Sequence, residues 1–203
     1  FDTVFGPKGA KTVSEFLDTF AGSVGLTVSE GQALVAVTAQ IAQGMGMAQA
    51  KSAGFAIDVA KLAGDMGSFN NLPTEEVIRA INSALTGERE ALKRMAIDIK
   101  EAEVQKLAFA QTSKKVAANL TQEEKALATL TLIQRKAGVA VGDVARTYDS
   151  LANRAKRIKA IFGELKNTIA KALTPAFEHI LGVIEADALK HFGSLMETIK
   201  ENS

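Results

Sequence analysis

The chain has 203 residues, with 24 Lys and Arg against 23 Asp and Glu, a formal net charge of +1, and neither Cys nor Trp. Disulfides, a thiol nucleophile and thiolate metal sites are thereby excluded. Near-neutrality also argues against a domain that holds nucleic acid chiefly by bulk charge. Apolar residues make up 47% of the chain and are dominated by Ala, Leu, Ile and Val, with one Tyr and three Pro. That balance favours helices, and the length suffices for one domain, or two small ones, with a real core.

Helix starts are marked by local chemistry. Thr12-Val13-Ser14-Glu15, Thr27-Val28-Ser29-Glu30 and Thr121-Gln122-Glu123-Glu124 fit a capping box, in which the Thr hydroxyl takes an orphan backbone N–H and the Glu reaches back. Pro73 before Thr74-Glu75-Glu76 gives a fourth start, with acidic residues where the helix dipole favours them.

Taken in order, a short helix is expected from Val13 to Ala21, broken by Gly22 and Gly25. A second runs from Ser29 to Gln43, Gly44-Met45-Gly46 turns the chain, and a third covers Ala48 to Met66. After an Asn-rich loop from Gly67 to Leu72, helices follow over Thr74–Leu85, Glu88–Met95 and Lys100–Ala117, then from Thr121 to near Gly138. From Asp143 onward, Tyr148, Leu151, Ala155, Ile158, Phe162, Leu165, Ile169 and Leu173 recur every three or four residues, a heptad-like stripe on one face. A helix of that length extends for about 45 Å. Its other faces are basic, with Arg146, Arg154, Lys156, Arg157, Lys159, Lys166 and Lys171 against Asp143, Asp149 and Glu164. Pro175 is expected to interrupt it, before a last helix lined by Phe177, Ile180, Leu181, Ile184, Leu189 and Phe192.

Little of the chain suggests chemistry. His179 and His191 are twelve residues apart, without the four-residue spacing of a helical zinc pair. Glu88 and Glu90 are the nearest approach to the paired carboxylates of a glycosidase, but Glu90 precedes Lys93 and Arg94 at ion-pair spacing. Gly44-Met45-Gly46 lacks the third glycine of a dinucleotide loop. The basic run Arg154 to Lys159 lacks the interleaved aromatics of a single-strand binder and reads first as a solvated face. The most apolar stretch, Ala33 to Ala50, contains Gln40, Gln43 and Gln49 and reads as a close-packed Ala/Gly helix pair rather than a spanning segment. No cofactor or metal is called for. No signal peptide pattern is visible, and a chain opening on Phe1 reads as a piece of something longer.

Two blocks carry a family resemblance. The first is Leu62-Ala63-Gly64-Asp65-Met66-Gly67-Ser68-Phe69-Asn70-Asn71, Thr74-Glu75-Glu76 and Ala84-Leu85-Thr86-Gly87-Glu88, followed by Glu90, Leu92-Lys93-Arg94 and Ala102-Glu103-Val104-Gln105. The second is Gln122-Glu123-Glu124-Lys125-Ala126-Leu127-Ala128, Gly142-Asp143-Val144-Ala145-Arg146-Thr147 and Asp149-Ser150-Leu151-Ala152-Asn153, continuing to Leu165-Lys166 and Lys171-Ala172-Leu173-Thr174-Pro175. In order and spacing these resemble bacteriophage tail tape measure proteins over roughly Val28 to Gly182, with departures at Met66, Met95 and Asp98-Ile99-Lys100. The resemblance implies a role rather than a reaction: a protein that lies in the lumen of the growing tail tube, fixes tail length, and leaves ahead of the genome. It implies the virion as location, after synthesis in the host bacterial cytoplasm. Implied partners are other copies of the chain, tail tube, tail tip and tail assembly chaperone proteins, with transient membrane or DNA contact during infection. The alternative is a membrane-active or cell-wall-degrading tail domain.

The expected architecture is all-α: an irregular helical bundle with one long heptad-patterned helix towards the C-terminus. Residues 1–142 form a compact domain of several short helices; residues 143–203 form the long amphipathic helix and a C-terminal helix, packed on the first part. The expected interaction residues are Tyr148, Leu151, Ile158, Phe162, Leu165, Ile169 and Leu173. A stripe of this kind either faces its own core or pairs with another chain.

Overall fold

The structure, a computed structural model, describes residues 1–112, 114 and 116–201, with side chains described as far as residue 181. It is all-α, with no strand among the described residues. The helices are α1 (Asp2–Ser23), α2 (Val28–Gly44), α3 (Gln49–Phe69), α4 (Thr74–Leu85), α5 (Glu101–Thr112), α6 (Gln122–Ala137), α7 (Asp143–Arg146) and α8 (Leu151–Glu201). Short 3₁₀ turns at Glu90–Met95, Ala117–Asn119 and Gly138–Ala140 link them.

Two of the capping boxes form as the residue pattern predicts. The Glu30 N–H donates to Thr27 Oγ1 at 3.2 Å, and the Thr27 N–H donates back to the Glu30 carboxylate at 2.8 Å. At α6 the Glu124 N–H reaches Thr121 Oγ1 at 3.2 Å and the Thr121 N–H returns to Glu124 at 2.7 Å. Pro73 occupies the N-cap of α4, with Glu75 and Glu76 in the first turn. Gly46, at φ 99°, makes the expected turn after α2.

The third box does not form. α1 begins eleven residues earlier than predicted, kinks at Gly6 (φ 66°, ψ 167°), and resumes at Pro7. Proline suits that first helical position because its missing N–H has no partner there in any case. Thr12 therefore falls inside a helix already started, and its hydroxyl donates to the Lys8 carbonyl at 3.1 Å instead of capping.

α3 is the central helix. Its N-terminal half joins α1 and α2 around Val13, Leu17, Val35, Ala39 and Ala56. Its C-terminal half joins α4, α5 and α6 around Met66, Ile78, Ile81, Leu92 and Ile133. Close approach of α1 to α3 depends on Gly64, where a Cβ would lie 2.9 Å from both Phe20 and Val24 side-chain carbons. The segment Ala33 to Ala50 belongs to this bundle: Val35, Thr38, Ala39 and Ala42 are buried, and Gln43 donates to the Val4 carbonyl and to Ser52 Oγ.

Residues 88–95 depart from the expected α-helix. Glu90–Met95 winds as 3₁₀ and stops at Ala96 in the left-handed region, φ 56°. With three residues per turn, Lys93 lies over Glu90 and pairs with it at 2.8 Å, whereas Arg94 turns away and pairs with Glu76 on α4. The helix predicted over Lys100–Ala117 ends at Thr112; Ser113 and Lys115 lie outside the described residues.

The chain divides into two compact units, the first Phe1–Ile161 and the second starting at Phe162. The position expected to separate domains, 142/143, lies inside the first unit, because side chains of α3 hold this part of the chain. Nor is there one helix from Asp143: α7 is a single turn, and a bend through Tyr148 and Asp149 precedes α8. The second unit, described by itself, is the continuation of α8. Pro175 does not interrupt it. The ring removes one backbone hydrogen bond, and both Pro175 and Lys171, whose carbonyl loses its donor, are exposed to water.

Candidate interaction surface

The beginning of α8 is fixed by polar chemistry. Asp65, half-buried on α3, accepts the Gly142 N–H at 2.7 Å and the Val144 N–H at 3.1 Å, so its carboxylate caps α7. Ser68, one turn further along α3, donates to Asp143 Oδ2 at 2.7 Å and lies 2.9 Å from Thr147 Oγ1. The Asn153 amide donates to Ser68 Oγ at 2.9 Å and to Thr147 Oγ1 at 2.8 Å. Lys156 reaches over the C-terminal end of α3, donating to the Gly67 and Leu72 carbonyls at 3.1 Å each. Burial pushes the Lys156 ammonium below the ordinary lysine range, while the nearby Asp143 carboxylate pulls the other way. Close approach completes the arrangement: a Cβ on Gly25 would come within 2.8 Å of Lys156 Cβ.

Within the first unit, therefore, α8 packs with Asn153, Lys156 and Ala160 inward, of which Asn153 and Ala160 are buried. At 100° per residue these lie about 140–180° around the helix from Leu151 and Ile158. The apolar side chains face water instead: Leu151 is 85% exposed and Ile158 53%. Further along the helix Phe162 is 66% exposed, and Leu165, Ile169 and Leu173 are close to half exposed. Phe177, Ile180 and Leu181 are exposed as well. The stripe is not a face of the core, which is the usual place for such a pattern.

Tyr148 stands apart from it. It lies in the bend before α8, where Arg157 stacks over its ring at 3.8 Å from the centroid and donates to its carbonyl. In the first unit Leu151, Ile158 and Ile161 are left exposed on α8; in the second, Phe162, Leu165, Ile169, Leu173 and Ile180 fall within an arc about 80° wide on a straight helix, with Phe177 and Leu181 exposed beside it. From Leu165 the spacing runs four and four, to Ile169 and Leu173, rather than alternating three and four.

Other candidates are accounted for by local contacts. Glu90 is engaged with Lys93, and Glu88 anchors the end of α4 through its N–H to the Ser83 carbonyl at 2.9 Å. His179 is exposed on α8; the side chains of Ile184, Leu189, His191 and Phe192 lie outside the described ones. Among the described residues no group of His, Asp and Glu could hold a metal ion, and no helix is long and apolar enough to cross a membrane. A shallow groove of about 200 Å³ between α4 and the Glu90–Met95 turn is lined by Leu72, Val77, Ala80, Ala91 and Met95, with the Glu76–Arg94 pair at its edge.

Sequence reasoning located the row but missed the face that holds α8 in place. The signal was present in outline: Asn153, Lys156 and Ala160 repeat at three and four residues on the side opposite the stripe. Their partners, Ser68, Gly67 and Leu72, lie 84 to 89 residues away, beyond any local pattern. Comparison of the chain with protein-family models, with curated proteins and with solved structures gave no match.

Proposed function

We propose that this chain is a structural and assembly element of a bacteriophage tail, a compact domain of a tape measure protein, that works by docking rather than by catalysis. The observation that carries the docking role is the orientation of α8: a polar and small-residue face is spent on the protein's own body while a row of large apolar side chains is left in water. Covering Ile158, Phe162, Leu165 and Ile169 supplies about 1.5–3 kcal/mol each, enough to hold another helix against this one. The tail assignment rests on the two sequence blocks between Val28 and Gly182 that resemble tape measure proteins. On that reading the chain resides in the tail lumen, and the row meets sister copies or the tube, tip and chaperone proteins of the tail.

The test is genetic and microscopic. In-frame deletions in the encoding gene are expected to shorten the tails in proportion to the residues removed, with the protein recovered from purified virions. Tails of unchanged length, or virions that lack the protein, overturn the tail assignment. A photo-crosslinking residue placed at Phe162 tests the docking role separately: it is expected to capture a neighbouring chain in assembled tails.

A further inference from the structure

Within the first unit, the two buried apolar clusters are built from residues up to Ala140. Between residues 141 and 161 only Val144 packs against either of them, and it is half-buried. Asp143, Asn153 and Ala160 are the buried residues of this stretch, and Ala160 is the one apolar side chain among them. A segment that buries no large apolar side chain gains little of the hydrophobic free energy that ties helices together. It is fastened instead by hydrogen bonds to one end of α3. Asp65 accepts from the Gly142 and Val144 N–H groups, Ser68 joins Asp143, Thr147 and Asn153, and Lys156 reaches the Gly67 and Leu72 carbonyls.

Such a fastening is cheap to release. Water replaces each hydrogen bond that opens, so the net contribution of each is small, and the buried Asp143 carboxylate regains its hydration. The end of α3 survives the loss of Lys156, because the Gly67 carbonyl also accepts the Leu72 N–H at 2.8 Å. A pivot lies next to the fastening: Val139 and Val141 are exposed, and Gly142 stands at φ +78°, where glycine moves most freely. We propose that residues 142–161 form a strap that opens from α3 as one unit, turning about Val141 and Gly142, while α1 to α6 stay folded. A pull on α8 then yields first at Asp65 and Ser68, before either core meets water. This goes beyond the docking role and stands or falls without it.

The chain has no cysteine, so one introduced thiol in the full chain reports opening by its reaction with dithiobis(nitrobenzoate). Ala160→Cys places the thiol on the buried side of the strap, and Ala63→Cys places it in the core along α3. Ala160→Cys is expected to react about a hundredfold or more faster than Ala63→Cys, with a shallower rise in urea, because a local opening exposes less surface than unfolding. Asn153→Ala and Asp65→Asn, each added to Ala160→Cys, are expected to raise its rate about fivefold or more. Asp65 touches the strap at Gly142 and Val144, so an effect at residue 160 shows one unit moving. Equal rates and urea slopes at residues 160 and 63 overturn the proposal, since the strap then leaves only when the domain unfolds. A rate as high as that of Leu151→Cys, at the exposed face, overturns it too, since the strap is then never fastened. If Asn153→Ala accelerates the reaction and Asp65→Asn does not, α8 frays alone and the single unit is refuted. Native-state amide exchange repeats the test without a substitution. Val144, Thr147 and Arg154 are expected to share one opening, well ahead of Val59 and Leu62 in α3; exchange in step with α3, or at three unrelated rates, overturns the proposal.

Discussion

Replacing Asp65 with Asn isolates the contact that holds α7 and the start of α8 to α3. The carboxylate uses its two oxygens separately, one for Gly142 and one for Val144. Asn keeps a single oxygen, so whichever way the amide turns, its NH₂ confronts a backbone N–H and one donor is orphaned. Hydrogen bonds to a charged group contribute about 1.5–3 kcal/mol, and the negative charge at the α7 N-terminus adds a few tenths more. Because Asp65 is half-buried and water reaches part of the site, the expected loss is about 1.5–3 kcal/mol. For a chain of this size that lowers Tm by about 4–9 °C, read from the far-UV circular dichroism melt. Asp58→Asn, exposed on the same helix, serves as the control and is expected to stay within about 0.5 kcal/mol of the wild type. Amide exchange at Gly142 and Val144 should accelerate more than exchange within α2. If Asp65→Asn melts with the wild type, the carboxylate is not holding this end of α8 and the account of its orientation fails.

Phe162→Glu/Leu165→Glu is expected to leave Tm and helicity almost unchanged, since both side chains are more than half exposed; a loss above about 1 kcal/mol would mean that they pack into the protein. Gly25→Ala should cost about 2–4 kcal/mol in urea titrations, because φ is +82° and the new methyl meets Lys156; an unchanged midpoint would show that the contact is easily relieved. The pH dependence follows from three glutamates on the α5–α6 side. Hydrogen bonds from Lys136 and the Lys100 N–H hold Glu103 below the ordinary glutamate range, and Lys114 and the Thr121 N–H do the same for Glu124. Burial alone would raise Glu101, but hydrogen bonds from Gln105 and Arg89 and the charges of Arg89 and Lys125 bring it down. Carboxyls lowered in the folded state stabilise above the unfolded value, about 4.3, and that stabilisation drains away as pH falls below it. The urea midpoint is therefore expected to drop between pH 6 and pH 3, and to drop less when all three are Gln; an equal drop in the triple variant refutes the assignment.

Features whose chemistry is local were readable from sequence. A capping box involves residues three apart, so Thr27 and Thr121 could be identified from the pattern alone. Thr12 shows the limit: the same pattern is inert when Pro7 has already started the helix upstream. Tyr148 shows another, since it shares the spacing of the row yet sits in the bend where Arg157 binds its ring and carbonyl. The periodicity of α8 was visible, but which way its apolar side faces was not. That depends on whether the opposite side finds partners, and Asn153 and Lys156 find theirs on α3, far away in the chain. Pro175 was a reasonable place to end a helix, yet one lost hydrogen bond at a solvated position is a small cost against continuing.

The outward row on α8 has a consequence for how the protein is produced. Polypeptides that display a line of Leu, Ile and Phe to water tend to precipitate with one another, or to be taken up by chaperones, unless something covers that line soon after synthesis. Expressed by itself, the chain should be poorly soluble, and it should become soluble when the gene for the partner that covers the row is placed beside it. The yield of clear lysate, with and without each neighbouring gene, is thus a screen that finds the missing component whatever its identity.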